Sequence, residues 1–282
     1  MPNLTDISYI KKLCTENGFE LSKNFGQNFI INAGICPKIV EASGITEEYG
    51  VLEIGPGIGV LTKELALRAK KVVAVEIDER LPSILAKTLS EFENVKIITG
   101  DVLKLDLAAL ISEEFGDMPV AVCANLPYYI TSPIIMALLE QRLPIRHITV
   151  MVQKEAADRI CATPATRAAG AISLAVSYYA QPKVLFTVSP GSFYPPPKVT
   201  SAVIKLNVCK NPPVNPKSEK KMFSLIRSAF CQRRKTAVNA ISSGSGIAKE
   251  TLFSSMEALG LNPLIRPEQM SLQNFADLAD RL

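Results

Sequence analysis

From Val51 onward, short β-branched runs alternate with amphipathic stretches. Val51–Ile54, Val72–Ile77, Val95–Thr99, Val120–Ala124 and His147–Gln153 are apolar and nearly continuous, the pattern of strands buried on both faces of a parallel sheet. Between them, Leu61–Ala69 and Pro82–Glu91 carry apolar residues at helical spacing, and Pro82 suits a first helical turn. Such alternation predicts a doubly wound α/β sheet. Ser201–Leu206 reads as one more strand, reached after the turn-rich Pro195-Pro196-Pro197. The pattern then changes. Asn211-Pro212-Pro213-Val214-Asn215-Pro216 is a stiff polar linker, and beyond it Lys220–Ile241, Lys249–Leu259 and Ser271–Leu282 have helical periodicity with almost no strand signal. The expected organisation is an α/β domain over residues 1–210 and a small helical domain over 211–282.

Composition narrows the class without choosing a function. The 282 residues suffice for one large domain and a small one, and 48% hydrophobic with 21% charged is an ordinary soluble mixture. No apolar run is long enough to span a bilayer, and Met1–Lys12 lacks the apolar block of a signal peptide, so a cytoplasmic protein is expected. The six cysteines are scattered and accompany a single histidine, which argues against a metal site and for reduced thiols. Net charge is +4, but Arg227, Arg233, Arg234 and Lys235 fall in a stretch without a carboxylate. Phosphate backbone suits such a cluster, and a solvated helix face explains it equally well.

Two loops carry the candidate chemistry. Glu53-Ile54-Gly55-Pro56-Gly57-Ile58-Gly59 lies where the first strand hands over to a helix, where glycines permit a tight turn and close ligand approach. Glu76 closes the second strand 21 positions after Gly55, suited to accept hydrogen bonds from ribose hydroxyls. Asp101 ends the third strand and can accept from an adenine amino group. A dinucleotide fingerprint would need glycine at position 60, which is Val60, so the set favours S-adenosylmethionine over NAD. The fourth strand ends in Asn125-Leu126-Pro127-Tyr128, beyond the carboxyl ends of the strands where ligands bind in open α/β sheets. The Asn125 amide oxygen and a proline-stiffened backbone carbonyl can each accept one hydrogen of an adenine N6, and Tyr128 can stack on the base. His147, at the start of a strand, is read as structural.

These motifs resemble the ribosomal RNA adenine dimethyltransferases of the small subunit (the KsgA/RsmA group), and the resemblance runs nearly end to end. It rests on Asn24-Phe25-Gly26-Gln27-Asn28-Phe29, Glu53–Gly59, Gly100-Asp101, Asn125–Tyr128, Gln153-Lys154-Glu155, Phe193-Tyr194-Pro195-Pro196-Pro197-Lys198-Val199 and Gln232-Arg233-Arg234-Lys235-Thr236. It implies a Rossmann-like methyltransferase fold with cofactor contacts from Asn28, Ile30, Gly55, Glu76, Asp101 and Asn125, and Gly57, Ile77 and Val102 beside them. It implies a target pocket formed by Asn125, Leu126, Pro127, Tyr128 and Phe193, into which an adenine is flipped. The implied substrate is two adjacent adenines in a hairpin near the 3′ end of small-subunit RNA within the immature 30S particle, with Arg227, Arg233, Arg234 and Lys235 on the RNA backbone. A monomer is expected. Large-subunit methyltransferases of the antibiotic-resistance type share the cofactor loop, but resemble Asn-Ile-Pro-Tyr at the fourth strand and lack the Gln232–Thr236 run. A non-catalytic assembly or transcription factor would have no reason to keep Asn125, Tyr128 and Asp101 together.

Overall fold

In the computed structural model, which describes residues 3–19, 27–232 and 234–282, the five apolar runs from Val51 to Gln153 form adjacent strands of a seven-stranded sheet. In chain order the strands are β1 (Phe29–Ile30), β2 (Gly50–Ile54), β3 (Lys71–Glu76), β4 (Val95–Thr99), β5 (Val120–Asn125), β6 (Ile145–Gln153), β7 (Ala180–Val188), β8 (Phe193–Tyr194) and β9 (Ser201–Val208). The sheet runs β4-β3-β2-β5-β6-β9-β7, and β1 pairs separately with β8. Strands β2 to β6 are parallel, and β9 lies antiparallel to β6. The chain steps outward from β2 through β3 to β4, then returns to start again at β5. That reversal opens a crevice beyond the carboxyl ends of β2 and β5, the usual ligand position in such sheets.

Helices α1 (Ile7–Glu16), α2 (Ile35–Ser43), α3 (Val60–Ala66), α4 (Pro82–Thr88), α5 (Leu107–Phe115) and α6 (Thr131–Glu140) accompany the sheet. Cys36, Ile39 and Val40 of α2 and Leu61 and Leu65 of α3 join one core with Val51, Val72, Ala121 and Met151 of the strands. A second core gathers Ile10 and Leu13 of α1, Ile84 and Leu85 of α4, and Phe29 and Ile58. Each fully buried aliphatic side chain contributes roughly 1.5–3 kcal/mol. The buried Glu114 of α5 accepts from Lys71 Nζ at 2.8 Å and from Lys96 Nζ, tying the starts of β3 and β4 to the helix.

The chain forms two compact units, residues 1–157 with 183–208, and residues 158–182 with 209–282. This division differs from a single cut at residue 210. The segment 158–182 includes all of α8 (Ala171–Tyr179) and the end of α7 (Lys154–Ile160). Its Leu174 and Tyr178 share a core with Met222, Leu225, Ile226 and Phe275. The second unit otherwise consists of α9 (Glu219–Phe230), α10 (Ala237–Ser245), α11 (Lys249–Ala258) and α12 (Leu272–Arg281). The predicted helical run Lys220–Ile241 is therefore two helices. Polar residues from Gln232 to Lys235 interrupt the apolar stripe, and Thr236 caps α10 by accepting from the Asn239 N–H.

Candidate functional site

The turn after β2 passes through Gly55 and Gly57, with φ of +69° and +60°, the left-handed region where a Cβ is costly. Nothing lies within 4 Å of where a Cβ would stand on Gly55, whereas one on Gly57 would come within 3.3 Å of the Phe29 ring. A cavity opens beside this turn. Its lining includes Gln27, Asn28, Phe29 and Ile30, then Glu53, Gly55 and Gly57, then Glu76 and Ile77, and the run Asn125–Ile130.

Glu76, at the end of β3, is buried with its two carboxyl oxygens engaged on one side. Oε1 accepts from the Asp78 N–H at 2.9 Å and Oε2 from the Gly57 N–H at 3.2 Å. Burial raises its pKa, and those two hydrogen bonds oppose the rise. A carboxylate has about four acceptor positions, so the backbone donors of Asp78, Gly57 and Ile77 orient Glu76 and still leave capacity for a hydroxyl group. Asp78 is also buried. It accepts from Gln27 at 2.9 Å and pairs with Arg80 at 2.6 Å, and the Arg80 hydrogen bond holds its carboxyl below the usual range.

The loop after β5 is fixed at several points. The Leu126 N–H donates to the Met151 carbonyl at 3.1 Å, continuing the ladder one residue past the strand. The Pro127 carbonyl accepts from the Ile130 N–H and from the Thr131 hydroxyl, both at 3.2 Å. Among the described residues no backbone N–H outside the helices and strands donates to the Leu126 carbonyl. The Tyr128 hydroxyl lies 2.7 Å from Ser201 Oγ, at the start of β9. The ring is half-buried, and burial raises its pKa. Tyr129 beside it is 59% exposed.

Of the residues expected from sequence, Asn28, Ile30, Gly55, Gly57, Glu76, Ile77, Asn125, Leu126, Pro127 and Tyr128 meet around this one cavity. Asp101, Val102 and Phe193 are not in its lining. Asp101 accepts from the Leu103 N–H at 3.0 Å and pairs with Lys104 at 3.4 Å, and Val102 is buried. Phe193 is 2% exposed, opposite Ile30 in the β1–β8 pair. Arg227, Arg234 and Lys235 are exposed, at the end of α9 and in the break before α10. Asn24, Phe25 and Gly26 of the first motif, and Arg233, lie outside the described residues. Glu53, part of the loop motif but given no role there, lines the cavity and is 1% exposed.

The charge of the lining separates the two cofactor classes. It holds two carboxyl groups, Glu53 and Glu76, and among the described lining residues no lysine, arginine or histidine. A pyrophosphate would find no cationic side chain in this lining, whereas a sulfonium nucleoside brings a positive charge that carboxyl groups can pair with.

The chain matches the family described as Ribosomal RNA adenine dimethylase over residues 18–282. It belongs to that family. It is 48% identical over 276 residues to Ribosomal RNA small subunit methyltransferase A of Geobacillus thermodenitrificans, covering 96% of this chain and 94% of the relative. It is 43% identical to the protein of the same name from Alkaliphilus oremlandii, over 100% of this chain and 99% of that one. The solved dimethyladenosine transferase of Plasmodium falciparum superposes with a TM-score of 0.74 at 27% identity, covering 88% of this chain and 95% of that one. The chain is thus an rRNA adenine dimethyltransferase that uses S-adenosylmethionine. Among the described residues no helix is long and apolar enough to cross a membrane, and no three of His, Cys, Asp and Glu are grouped to hold a metal ion.

Proposed function

We propose that this enzyme dimethylates the N6 amines of two adjacent adenines in a hairpin near the 3′ end of small-subunit ribosomal RNA, within an immature 30S particle. In this reading it acts as a cytoplasmic monomer. The observation that carries the chemistry is the pairing of the Asn125 side chain with the Leu126 carbonyl on one fixed loop beside the carboxyl-lined cavity. The small-subunit substrate is supported by the relatives' names.

Adenine N6 is a poor nucleophile because its lone pair is delocalised into the ring. The Asn125 amide oxygen and the Leu126 carbonyl each accept one N6 hydrogen, drawing the nitrogen toward tetrahedral geometry and freeing its lone pair. Tyr128, pinned by Ser201, supplies a flat face for the extruded base. Glu76 holds the ribose of the cofactor, Asn28 and Ile30 help close its site, and the backbone at Gly55 and Gly57 admits it closely. Asp101 and Val102 belong to the adenine end in this assignment, and Phe193 to the base pocket. S-adenosylmethionine, when bound, supplies an already activated methyl group. The protein's part is therefore positioning and dipole placement, with no general base required. The second N6 hydrogen remains available for another round, and each displaced proton passes to solvent.

Replacing Asn125 by Ala should lower tritium transfer from labelled cofactor to immature small subunits by about 100-fold, the scale of losing one transition-state hydrogen-bond partner. Undiminished transfer would remove the mechanism. Mapping dimethylated adenines in ribosomal RNA from cells with and without the gene identifies the substrate.

A further inference from the structure

Glu53 stands one residue from the end of β2, and the adenine chemistry above does not use it. It lines the same cavity as Glu76, is almost wholly buried, and its Oε2 has no hydrogen-bond partner. Cys36 from α2, Cys123 from β5, Thr62 from α3 and Glu76 from β3 act on it or feel its charge, and Glu64 of α3 acts on the same Cys36. All the ionisable members of this group are acids, so a negative Glu53 has the Thr62 hydroxyl beside it but no counterion among them. Burial pushes its carboxyl up to about 8, with Glu76 adding to the rise and Thr62 opposing it. Burial raises both thiols further still, so neither titrates near neutrality.

We infer that Glu53 is a charge-switching ligand of the cofactor cavity, neutral and protonated until a cationic ligand enters and ionised once that positive charge is beside it. The balance is simple. The carboxylic O–H bond breaks, the proton leaves to solvent, and the carboxylate stays paired with the incoming cation. This inference rests on the cavity being the S-adenosylmethionine site. It adds that cofactor binding and proton release are one event, and that Glu53 favours a cationic nucleoside over a neutral one.

Calorimetric titration of S-adenosylmethionine into the full chain at pH 7, in two buffers of different ionisation enthalpy, counts the protons released. Wild type should release close to one more proton per ligand than Glu53→Gln, which leaves any titration of the ligand's own amine common to both. From pH 6 to 8, wild-type affinity should rise by up to about tenfold per pH unit relative to the variant. Equal proton release and equal slopes overturn the inference. Infrared difference spectra supply a measurement that does not depend on the variant folding. The carbonyl stretch of a protonated carboxylic acid should vanish when cofactor is added to wild type, and a spectrum without that loss also overturns it. Failure of the cofactor to bind wild type at all overturns the cavity assignment itself.

Discussion

At the scale of single residues, the hydroxyl pair between Tyr128 and Ser201 ties the outer end of an aromatic ring to the start of β9. If that bond sets the plane on which a base rests, Tyr128→Phe and Ser201→Ala should each lower kcat/KM for RNA by about fivefold, the worth of roughly 1 kcal/mol. The double variant should lose no more than either single one, and cofactor affinity should hold. Additive losses would show the two hydroxyls acting separately. Residues whose chemistry is carried by a local motif were legible before folding. Gly55, Gly57, Glu76 and Asn125–Tyr128 sit at strand ends, where chain order alone places them together. Glu53 was not legible in this role, because a lone acid in an apolar strand acquires its meaning only from what packs around it. Ser201 is an ordinary hydroxyl residue in sequence, and only the fold brings it, 73 positions away, to Tyr128.

At the scale of elements, the strands from β2 to β6 were readable from their apolar character, including β4 at one edge, and β7 at the other edge was not. β7 contains Gln181, Pro182 and Lys183 and is largely solvent-accessible, so it lacks the signal of a buried strand. Polar residues and proline are what an edge strand tolerates and uses against further pairing. The two-residue strands β1 and β8 are too short to leave any periodicity. On β6, His147 is buried with an unpartnered Nε2 and lies 5.4 Å from the Tyr49 ring. Burial, with Lys205 nearby, lowers its pKa to about 4, below the ordinary 6.5. Between those values the unfolded chain binds the proton and the folded one does not, so stability falls as pH drops through that window. Thermal midpoints measured from pH 6.5 to 4.5 should decline more steeply for wild type than for His147→Gln. Parallel curves would mean that His147 is not responsible.

For the whole molecule, a sheet followed by helices was legible, while the division of the chain between them was not. The segment 158–182 lies before the last strands in sequence but packs with the helices, a long-range choice made by Leu174 and Tyr178 and by no local composition. Arg227, Arg234 and Lys235 present their charge on that helical unit. Reversing the three to glutamate should weaken RNA binding and flatten its dependence on salt, by roughly one unit of slope for each phosphate no longer neutralised. Cofactor affinity, measured by calorimetry, should not change. A parallel fall in cofactor affinity would indicate a misfolded chain. The order of the sheet also bears on how the protein is made. β9 is the last strand in sequence yet lies inside the sheet, between β6 and β7. During translation β6 waits with one side unpaired, and β7 has emerged without its neighbour. A nascent chain halted after Val188 therefore exposes an open edge prone to sticking to other chains, and it also lacks the serine that anchors Tyr128.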